Sequence, residues 1–542
     1  MSSIFDLKTS VDELESYNQG TSRVQFDQHP PTRDCTGESF SNGAIRFKFS
    51  TSGQKWWMPS RSYIRLRLGL TKKNAAGADV PLTLDDGIAP NMGTCASLFQ
   101  SAEMRINDKV VSRIGDFVPQ IDALETRLSK SKSWMDSAGN STNLWQTDMT
   151  ERQSVVCADG VKSALVENQR FTPIQLGFAA TDTVEIAVDT NSMLLKNAAG
   201  APVLNGAAGS PSIQVGDIIN VAGVKYVCSD ATGGVAAFDI GNAKNLVLAA
   251  SAFTVDRPIN HARKAGQFEL IWTPSLSLFK IDHALPAGNY ELVLTPQPGT
   301  TYKQFGIESV GTPSLGNNAG NYNLTIEDIY FYCNVVDGKR SDDITYLLDL
   351  DATSCQSDNI KSTDLNQRNF DVSPSTYAMT VAYQDIRAGS TTSISASKFK
   401  SYNTPVTANT ELNLTRFYMN YAGQSLPSPD ADPNFNTGID KTTQRYADTM
   451  LYNGGIFDAG GCETIEEFHR RGAYYYFAIP RDGSDRSTQV AVHSQFREPT
   501  AAQGGKNALT DNMRVLLFSH HKQVARVSVS DGRVVSVQLE DA

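Results

Sequence analysis

The sequence predicts an all-β protein in which two antiparallel β-domains follow each other along the chain, with short helices in the loops. Stretches in which every second residue is apolar recur throughout, which is the period of a strand with one buried face. These stretches form two series, separated by a polar segment from Asp337 to Ser373. The chain of 542 residues is also too long for one core, because single cores stop growing near ~250–300 residues.

The first series supplies the strands of the first domain. The alternating stretches are 45–49, 64–70, 102–106, 268–272 and 290–294. Trp56 and Trp57 stand between the first two, and we expect their rings to close the end of a β-barrel core rather than to form a platform for sugars.

The last stretch of this series changes phase. Apolar residues occupy even positions in 324–326 and odd positions in 329–335. One extra residue restores a single buried face, so we predict a β-bulge at Glu327-Asp328.

A helix and an insertion interrupt the first series. Asp116 suits the helix N-cap and Pro119 its first turn. The apolar face of this helix recurs at helical spacing and consists of Phe117, Ile121, Leu124 and Leu128. Residues 183–255 are rich in Gly, Ala, Val and Asn and poor in Lys and Arg. They predict a β-rich insertion, because strand patterns of the parent domain resume at Phe268.

The second series predicts the second domain. Its strands are expected at 377–383, at 412–414 with the run RFYMNYAG that follows, and at 473–480, 490–492 and 513–520. Helical patterns occur at Thr442–Tyr452 and Thr464–Arg471. The dipeptide Asp531-Gly532 between alternating valines predicts a closing hairpin. We therefore expect an N-terminal arm over 1–40, a first domain over 41–340 and a second over 341–542.

Composition limits the classes of function. The formal net charge of −10 argues against direct, sequence-specific binding of nucleic acid, which relies on clustered Lys and Arg. The seven cysteines are spread evenly, which favours reduced thiols over a disulfide framework. Neither an apolar run long enough to cross a membrane nor a secretory leader is predicted.

Histidines and acidic pairs were weighed as metal sites. His520 and His521 are adjacent, so on a strand they face opposite ways, which does not suit a metal. Asp349 and Asp351 have the spacing of a fragment of a calcium loop, as do their counterparts at 430 and 432. Because the rest of that loop pattern is missing, solvated acidic turns are favoured.

Catalytic and modification patterns lack the partners they need. The phosphate-loop, GxSxG and HExxH motifs do not occur. Glu466, Glu467 and His469 could act as acids or bases, but a polar helix face explains them better. Asn323 and Asn413 begin glycosylation patterns inside predicted strands, where chance is the better explanation. We predict no catalytic, cofactor-binding or metal-binding residues, and no cofactor.

Five segments, spread over most of the chain, carry a resemblance to a known family: WWMPSRSYIRLRLGL, LFQSAEMRINDKVVSR, LPAGNYELVL, RFYMNYAGQSLPSP and MRVLLFSHHKQVARVSVSDGRVVSVQL. In order and spacing they resemble the double jelly-roll major capsid proteins of eukaryotic double-stranded DNA viruses, of the polinton-like virus, adintovirus and virophage type. Residues 183–255 match nothing in that pattern.

The resemblance implies two tandem eight-stranded jelly rolls and a structural function without catalysis. Members of such a family self-associate into pseudo-hexagonal homotrimeric capsomers, which tile an icosahedral virion shell beside neighbouring capsomers and minor capsid and penton proteins. Localisation to the virion follows, with assembly in the host cytoplasm or nucleus. The arm would then be a docking element: Ile4, Leu7, Val11 and Leu14 recur at helical spacing. Its net acidic charge would repel a genome, although a flexible terminus stays an alternative.

Two other classes of function stay open at the level of sequence. A β-rich glycan-binding or fibre-type structural protein would suit the Gly- and Ala-rich insertion. A hydrolase on a β-sandwich would need a catalytic constellation, which the sequence does not show.

Overall fold

The computed structural model describes the chain in segments. These are residues 25–52, 55–74, 76–81, 88–90, 93–143, 145, 170–175, 183–189, 192–197, 218–221, 224–230, 237–239, 246–249, 254–259, 267–309, 322–337, 343–360, 364–385, 413–431, 442–452, 465, 468, 474–479, 488–497 and 513–541. For the segments between 170 and 259 only the backbone is described.

The strands before the insertion are β1 (Gln25–His29), β2 (Ile45–Ser50), β3 (Lys55–Trp57), β4 (Tyr63–Lys73), β5 (Asp79–Pro81), β6 (Ile88–Pro90), β7 (Phe99–Ile106) and β8 (Lys109–Ile114). Those of the insertion are β9 (Arg170–Gln175), β10 (Thr183–Asp189), β11 (Ser192–Asn197), β12 (Ile218–Val221), β13 (Val224–Asp230), β14 (Ala237–Asp239), β15 (Leu246–Ala249) and β16 (Thr254–Ile259). The series resumes with β17 (Gln267–Trp272), β18 (Asn289–Pro296), β19 (Ile307–Ser309) and β20 (Tyr322–Asp337).

The second half contains β21 (Ile344–Ile360), β22 (Asn366–Asp371), β23 (Thr376–Asp385), β24 (Asn413–Tyr421), β25 (Gln424–Ala431), β26 (Tyr474–Ala478), β27 (Gln489–Arg497), β28 (Met513–Ser530) and β29 (Arg533–Asp541). The helices are α1 (Thr94–Ser97), α2 (Val118–Ser129), α3 (Lys132–Trp134), α4 (Asn140–Asn143), α5 (Thr301–Phe305) and α6 (Thr442–Tyr452). A π-helical turn spans Met135–Gly139, and 3-10 turns span Gly37–Ser41, Pro59–Arg61 and Ser277–Lys280.

The same strand order occurs twice. In the first half one sheet has the order β1-β20-β4-β17 and the other β2-β18-β7-β8, with β3 and β5 as additions at the edges. In the second half the sheets are β21-β28-β23-β26 and β22-β27-β24-β25, with β29 added on β28. Numbered along the chain as eight principal strands, each half has the sheets 1-8-3-6 and 2-7-4-5. This is the order of a jelly roll, so the predicted fold class is confirmed.

Aromatic side chains fill the space between the two sheets of each sandwich. In the first, Phe49 lies 5.3 Å from Phe331 of the facing sheet, measured between ring centroids. In the second, the ring of Phe417 stacks on Tyr475 at 5.0 Å. The alternation in sequence places these rings inward, and β2 accordingly shows buried residues at every second position.

Two local predictions are confirmed. The register between β20 and β4 shifts between Ile326 and Asp328, which places the bulge where the phase change predicts it. Asp531 and Gly532 join β28 to β29 with φ angles of 58° and 75°. These left-handed values are typical of a two-residue hairpin turn.

Two boundaries differ from the predicted ones. Residues 25–29 lie within the predicted arm, yet they pair with β20 as an edge strand of the first sandwich. His29 is fixed there by stacking on Phe49 at 5.3 Å. Strands β9 to β16 form one eight-stranded sheet. Because β9 begins at Arg170 and β16 ends at Ile259, the insertion extends beyond 183–255 at both ends. The predicted docking helix of the arm lies outside the described residues.

Of the predicted helices, one is confirmed in extent and another has a different N-cap. α6 spans the predicted Thr442–Tyr452, whereas only Ile465 and Phe468 of the second helical pattern are described. For α2 the predicted N-cap is wrong. Phe117 occupies the cap with a left-handed φ of 64°, and the Asp116 carboxylate accepts the N–H of Phe117, its neighbour in sequence, at 2.9 Å. In the described part of the chain no helix is long and apolar enough to span a membrane.

Candidate functional site at the junction of the two sandwiches

Both faces of β28 are buried. Tyr383 points into the second sandwich, where its hydroxyl bonds Ser494 of the facing sheet at 2.6 Å. Its ladder partner Val515 therefore faces inward as well. Leu516 and Phe518 must face outward, yet both are fully buried. A strand buried on both sides has a continuous apolar run in its sequence, which VLLF at 515–518 is.

The first sandwich supplies part of the cover. α2 and the Ser277–Lys280 turn both contact β21. The Lys280 ammonium is paired with the Glu125 carboxylate of α2, and it also donates to the backbone carbonyl of Asp351 in β21 at 3.1 Å. One lysine thus joins the helix of the first sandwich to a strand of the second.

At its N-terminal end α2 makes a second contact with the same sheet. The Arg514 guanidinium of β28 lies 5.3 Å from the centre of the Phe117 ring, a cation–π arrangement. Its Nε also donates to the Gln384 side chain at 3.0 Å. Burial lowers the pKa of Arg514. The unusual backbone of Phe117 therefore coincides with the position that its ring takes in the junction.

His520 lies on the covered face. Its Nδ1 is 3.2 Å from the Thr353 hydroxyl and its Nε2 2.9 Å from the Thr380 hydroxyl. Burial, with smaller contributions from Lys280 and His521, lowers the pKa of His520 to about 3. A neutral imidazole has one donor and one acceptor nitrogen, so one threonine donates to the ring and the other accepts from it. This histidine fixes the sheet and does not carry charge near neutral pH.

The acidic pair of β21 has a lysine as its partner. Lys522 of β28 lies 2.5 Å from an Asp351 oxygen and 3.6 Å from an Asp349 oxygen. The ammonium also lies 5.7 Å from the centre of the Tyr377 ring. The carboxylates that sequence spacing offers as calcium ligands are thus arranged around a cation of the protein.

A second zone of contact involves the terminal hairpin. The backbone N–H of Val534 in β29 donates to the carbonyl of Ala287 in the first sandwich at 2.8 Å. The Asn107 amide, in the tight turn between β7 and β8, donates to the carbonyl of Val534 at 2.6 Å. One backbone hydrogen bond and one from the Asn107 side chain therefore tie the terminal hairpin to the first sandwich.

A buried carboxyl attaches α2 to its own sandwich. One Asp122 oxygen accepts hydrogen bonds from the Trp272 indole N–H at 2.8 Å and from the Ser275 hydroxyl at 2.7 Å. Burial raises the pKa of Asp122 to about 6. α2 therefore has contacts with both sandwiches.

The structure places several other candidates in structural roles. Trp57 is fully buried, and its indole N–H donates to the Ser62 hydroxyl at 2.8 Å, so of the predicted pair Trp57 lies in the core. The glycosylation-type asparagines lie in β20 and β24. Asn323 donates from its amide to Asp79 at 3.3 Å.

Other candidate metal-binding and catalytic residues lie where side chains are not described. The side chains of Asp430 and Asp432, and residues 466, 467 and 469, lie outside the described residues. Among the side chains that are described, no three of His, Cys, Asp or Glu come together as a metal site requires. Sequence reasoning missed the junction, although the run of apolar residues on both parities of β28 could have indicated it.

Comparisons with known proteins give distant similarities in structure alone. No protein-family profile matches the chain, and neither does any curated protein. Over 96% of its length it is similar to 88% of a chain from the cryo-EM structure of the Sputnik virophage, with 12% identity and a TM-score of 0.47. For the mavirus major capsid protein the shares are 97% and 94%, with 11% identity and a TM-score of 0.44. For the PBCV-1 virus capsid they are 96% and 97%, with 8% identity and a TM-score of 0.42.

Proposed function

We propose that this protein is a viral major capsid protein, which self-associates into homotrimeric, pseudo-hexagonal capsomers that tile an icosahedral shell. The observation that carries the proposal is the repeated jelly-roll order of its two sandwiches, tied together through α2 and the terminal hairpin. A block of two similar sandwiches in fixed orientation gives a trimer six similar units, which a lattice of hexagonal symmetry needs. The sequence segments that resemble the double jelly-roll family support the same function.

The proposal includes where the parts of the chain act. The two sandwiches are separate domains that divide between Asp337 and Ile344, where the strands of one end and those of the other begin. The protein acts in the virion without catalysis and without a cofactor. Its partners are other capsomers and minor capsid and penton proteins. The acidic segment before β1 docks on one of these partners and not on the genome.

Purified protein separates this proposal from a glycan-binding or fibre protein. Light scattering on a sizing column is expected to give three times the 59.0 kDa chain mass at micromolar concentration. Sugar columns are expected not to retain the protein, and DNA is expected not to bind it at physiological salt. A stable monomer, retention by a sugar that competes specifically, or steeply salt-dependent DNA binding would each contradict the proposal.

A further inference from the structure

Among the described residues, the sheet face that is covered in the second sandwich is partly exposed in the first. On the outer face of its β1-β20-β4-β17 sheet lie Phe26, Tyr63 and Tyr332, which we call the aromatic triad. The ring centroids of Phe26 and Tyr63 are 5.8 Å apart, and Tyr63 stacks on Tyr332 at 5.1 Å. Phe26 is 49% exposed. Three aromatic side chains thus form a cluster that reaches solvent on one sheet.

Charged residues flank this triad and balance one another. Arg65 pairs with Glu269 at 2.6 Å and lies 3.7 Å from Asp328. Arg67 lies 3.4 Å from the same aspartate. An apolar centre beside compensated charges is the usual composition of a protein–protein interface with a polar rim.

The covered sheet face of the second sandwich indicates which kind of surface the corresponding face of the first sandwich binds. By strand order β1, β20 and β4 correspond to β21, β28 and β23. Within the chain, β21 meets both α2 and the Ser277–Lys280 turn of the other sandwich, and Arg514 of β28 meets Phe117 at the start of α2. This contact joins a sheet face of the second sandwich to a helical surface of the first. The corresponding sheet face of the first sandwich and helical surface of the second are the two surfaces that another copy would use. Head-to-tail contacts of this kind continue from copy to copy until a ring closes.

α6 is the counterpart of α2 in the second sandwich. Each helix follows the fifth principal strand and precedes the sixth, since α2 lies between β8 and β17 and α6 between β25 and β26. α6 packs on β26, where the Thr449 hydroxyl lies 3.4 Å from the backbone nitrogen of Tyr476. Leu451 near its end is 48% exposed. The second sandwich therefore presents an apolar side chain on the helix that corresponds to α2.

We propose that the aromatic triad of one chain packs against α6 of a second copy, repeating between chains the contact that α2 makes within one. The inference rests on the proposed self-association and specifies its surfaces. It also assigns direction to the contact: the first sandwich of each copy receives the second sandwich of the next.

Matched surface substitutions test this assignment. Phe26→Glu and Leu451→Glu place a charge on the two surfaces, and Leu365→Glu is the control, because Leu365 is 44% exposed and precedes β22 at the edge of the other sheet. The first two are expected to raise the dissociation constant of the oligomer at least ~30-fold, as loss of a central contact does. The control is expected to leave it unchanged. Circular dichroism melting verifies that all three variants are folded.

A photo-crosslinking residue at position 26 identifies the occupant. In mixtures of ¹⁵N-labelled and unlabelled chains, cross-links between the two isotopic forms are expected to end in 442–452. Cross-links that end in the first sandwich of another copy, or a Phe26→Glu oligomer as stable as the control, contradict the assignment of the face while self-association stands. A monomeric wild type contradicts self-association itself.

Discussion

The two sandwiches share one strand order, yet among the described residues the outer face of the β1-β20-β4-β17 sheet is partly exposed and that of the β21-β28-β23-β26 sheet is covered. The partly exposed face presents Tyr63, Arg65 and Tyr332. The covered face presents Thr380, Leu516 and Phe518, all with no exposed surface. Topology therefore does not decide which face is buried. The outward residues decide it, because small and apolar side chains allow a neighbouring helix to pack closely.

The largest difference between the faces is expected on truncation of an aromatic ring. Phe518→Ala should lower the free energy of unfolding by ~3–5 kcal/mol, since it leaves a cavity in the covered face. Phe26→Ala on the partly exposed face should cost less than ~1 kcal/mol when measured in urea at a concentration too low for association. Equal costs for the two substitutions would contradict the account of the covered face.

Acid should weaken the covered face through His520. Because its pKa is lowered to about 3 in the folded state, its contribution is complete above the ordinary histidine value of ~6.5 and is lost as the pH falls toward 3, at about 1.4 kcal/mol per pH unit. His520→Gln should flatten this part of the stability profile, as measured by urea unfolding between pH 4 and 7. His29→Gln is the comparison on the first sandwich, where the histidine is only half-buried.

Asp122 should respond to pH in the opposite direction. Its pKa is raised to about 6, so the stability that it contributes is complete below ~3.8 and is lost as the pH rises through 6. Asn keeps the oxygen that Trp272 and Ser275 use, and Asp122→Asn should therefore raise the free energy of unfolding by ~1–3 kcal/mol at pH 7. Asp122→Ala leaves two donors without an acceptor and should lower it by ~1–3 kcal/mol for each. Loss of stability in the Asn variant at pH 7 would show that the carboxyl is bound as an anion.

The smallest effect is expected at the ion pair that spans the junction. The Lys280 side chain is 33% exposed and that of Glu125 14% exposed, and such pairs contribute little in water. Glu125→Gln should change the free energy of unfolding by less than ~1 kcal/mol, and 1 M salt should reduce the effect further. A cost above 2 kcal/mol would mean that the charge itself holds the sandwiches together.

Local patterns in the sequence predict local structure well. The phase change before Ile329 requires the bulge, and Asp531-Gly532 requires a tight turn, because parity and backbone preference act within a few residues. The same reasoning places most strands and α6. It misplaces the cap of α2, since the conformation of Phe117 accompanies a contact with Arg514, a residue far along the chain.

The junction could not be predicted from strand patterns because it depends on which outward face meets another element. The residues near His520 in the sequence do not indicate that Thr353 and Thr380 are its hydrogen-bond partners. Likewise, the residues near Asp122 do not indicate its bond with Trp272. The extent of the insertion could not be predicted for the same reason: β9 and β16 pair with each other although they lie far apart in the sequence. The candidate site is thus a property of the tertiary fold.

Cryo-EM of the purified protein tests the central claim most directly. The account predicts closed particles of three chains, in which six jelly rolls form a ring and first and second sandwiches alternate around it. Isolated chains, or rings in which two first sandwiches face each other, would contradict it.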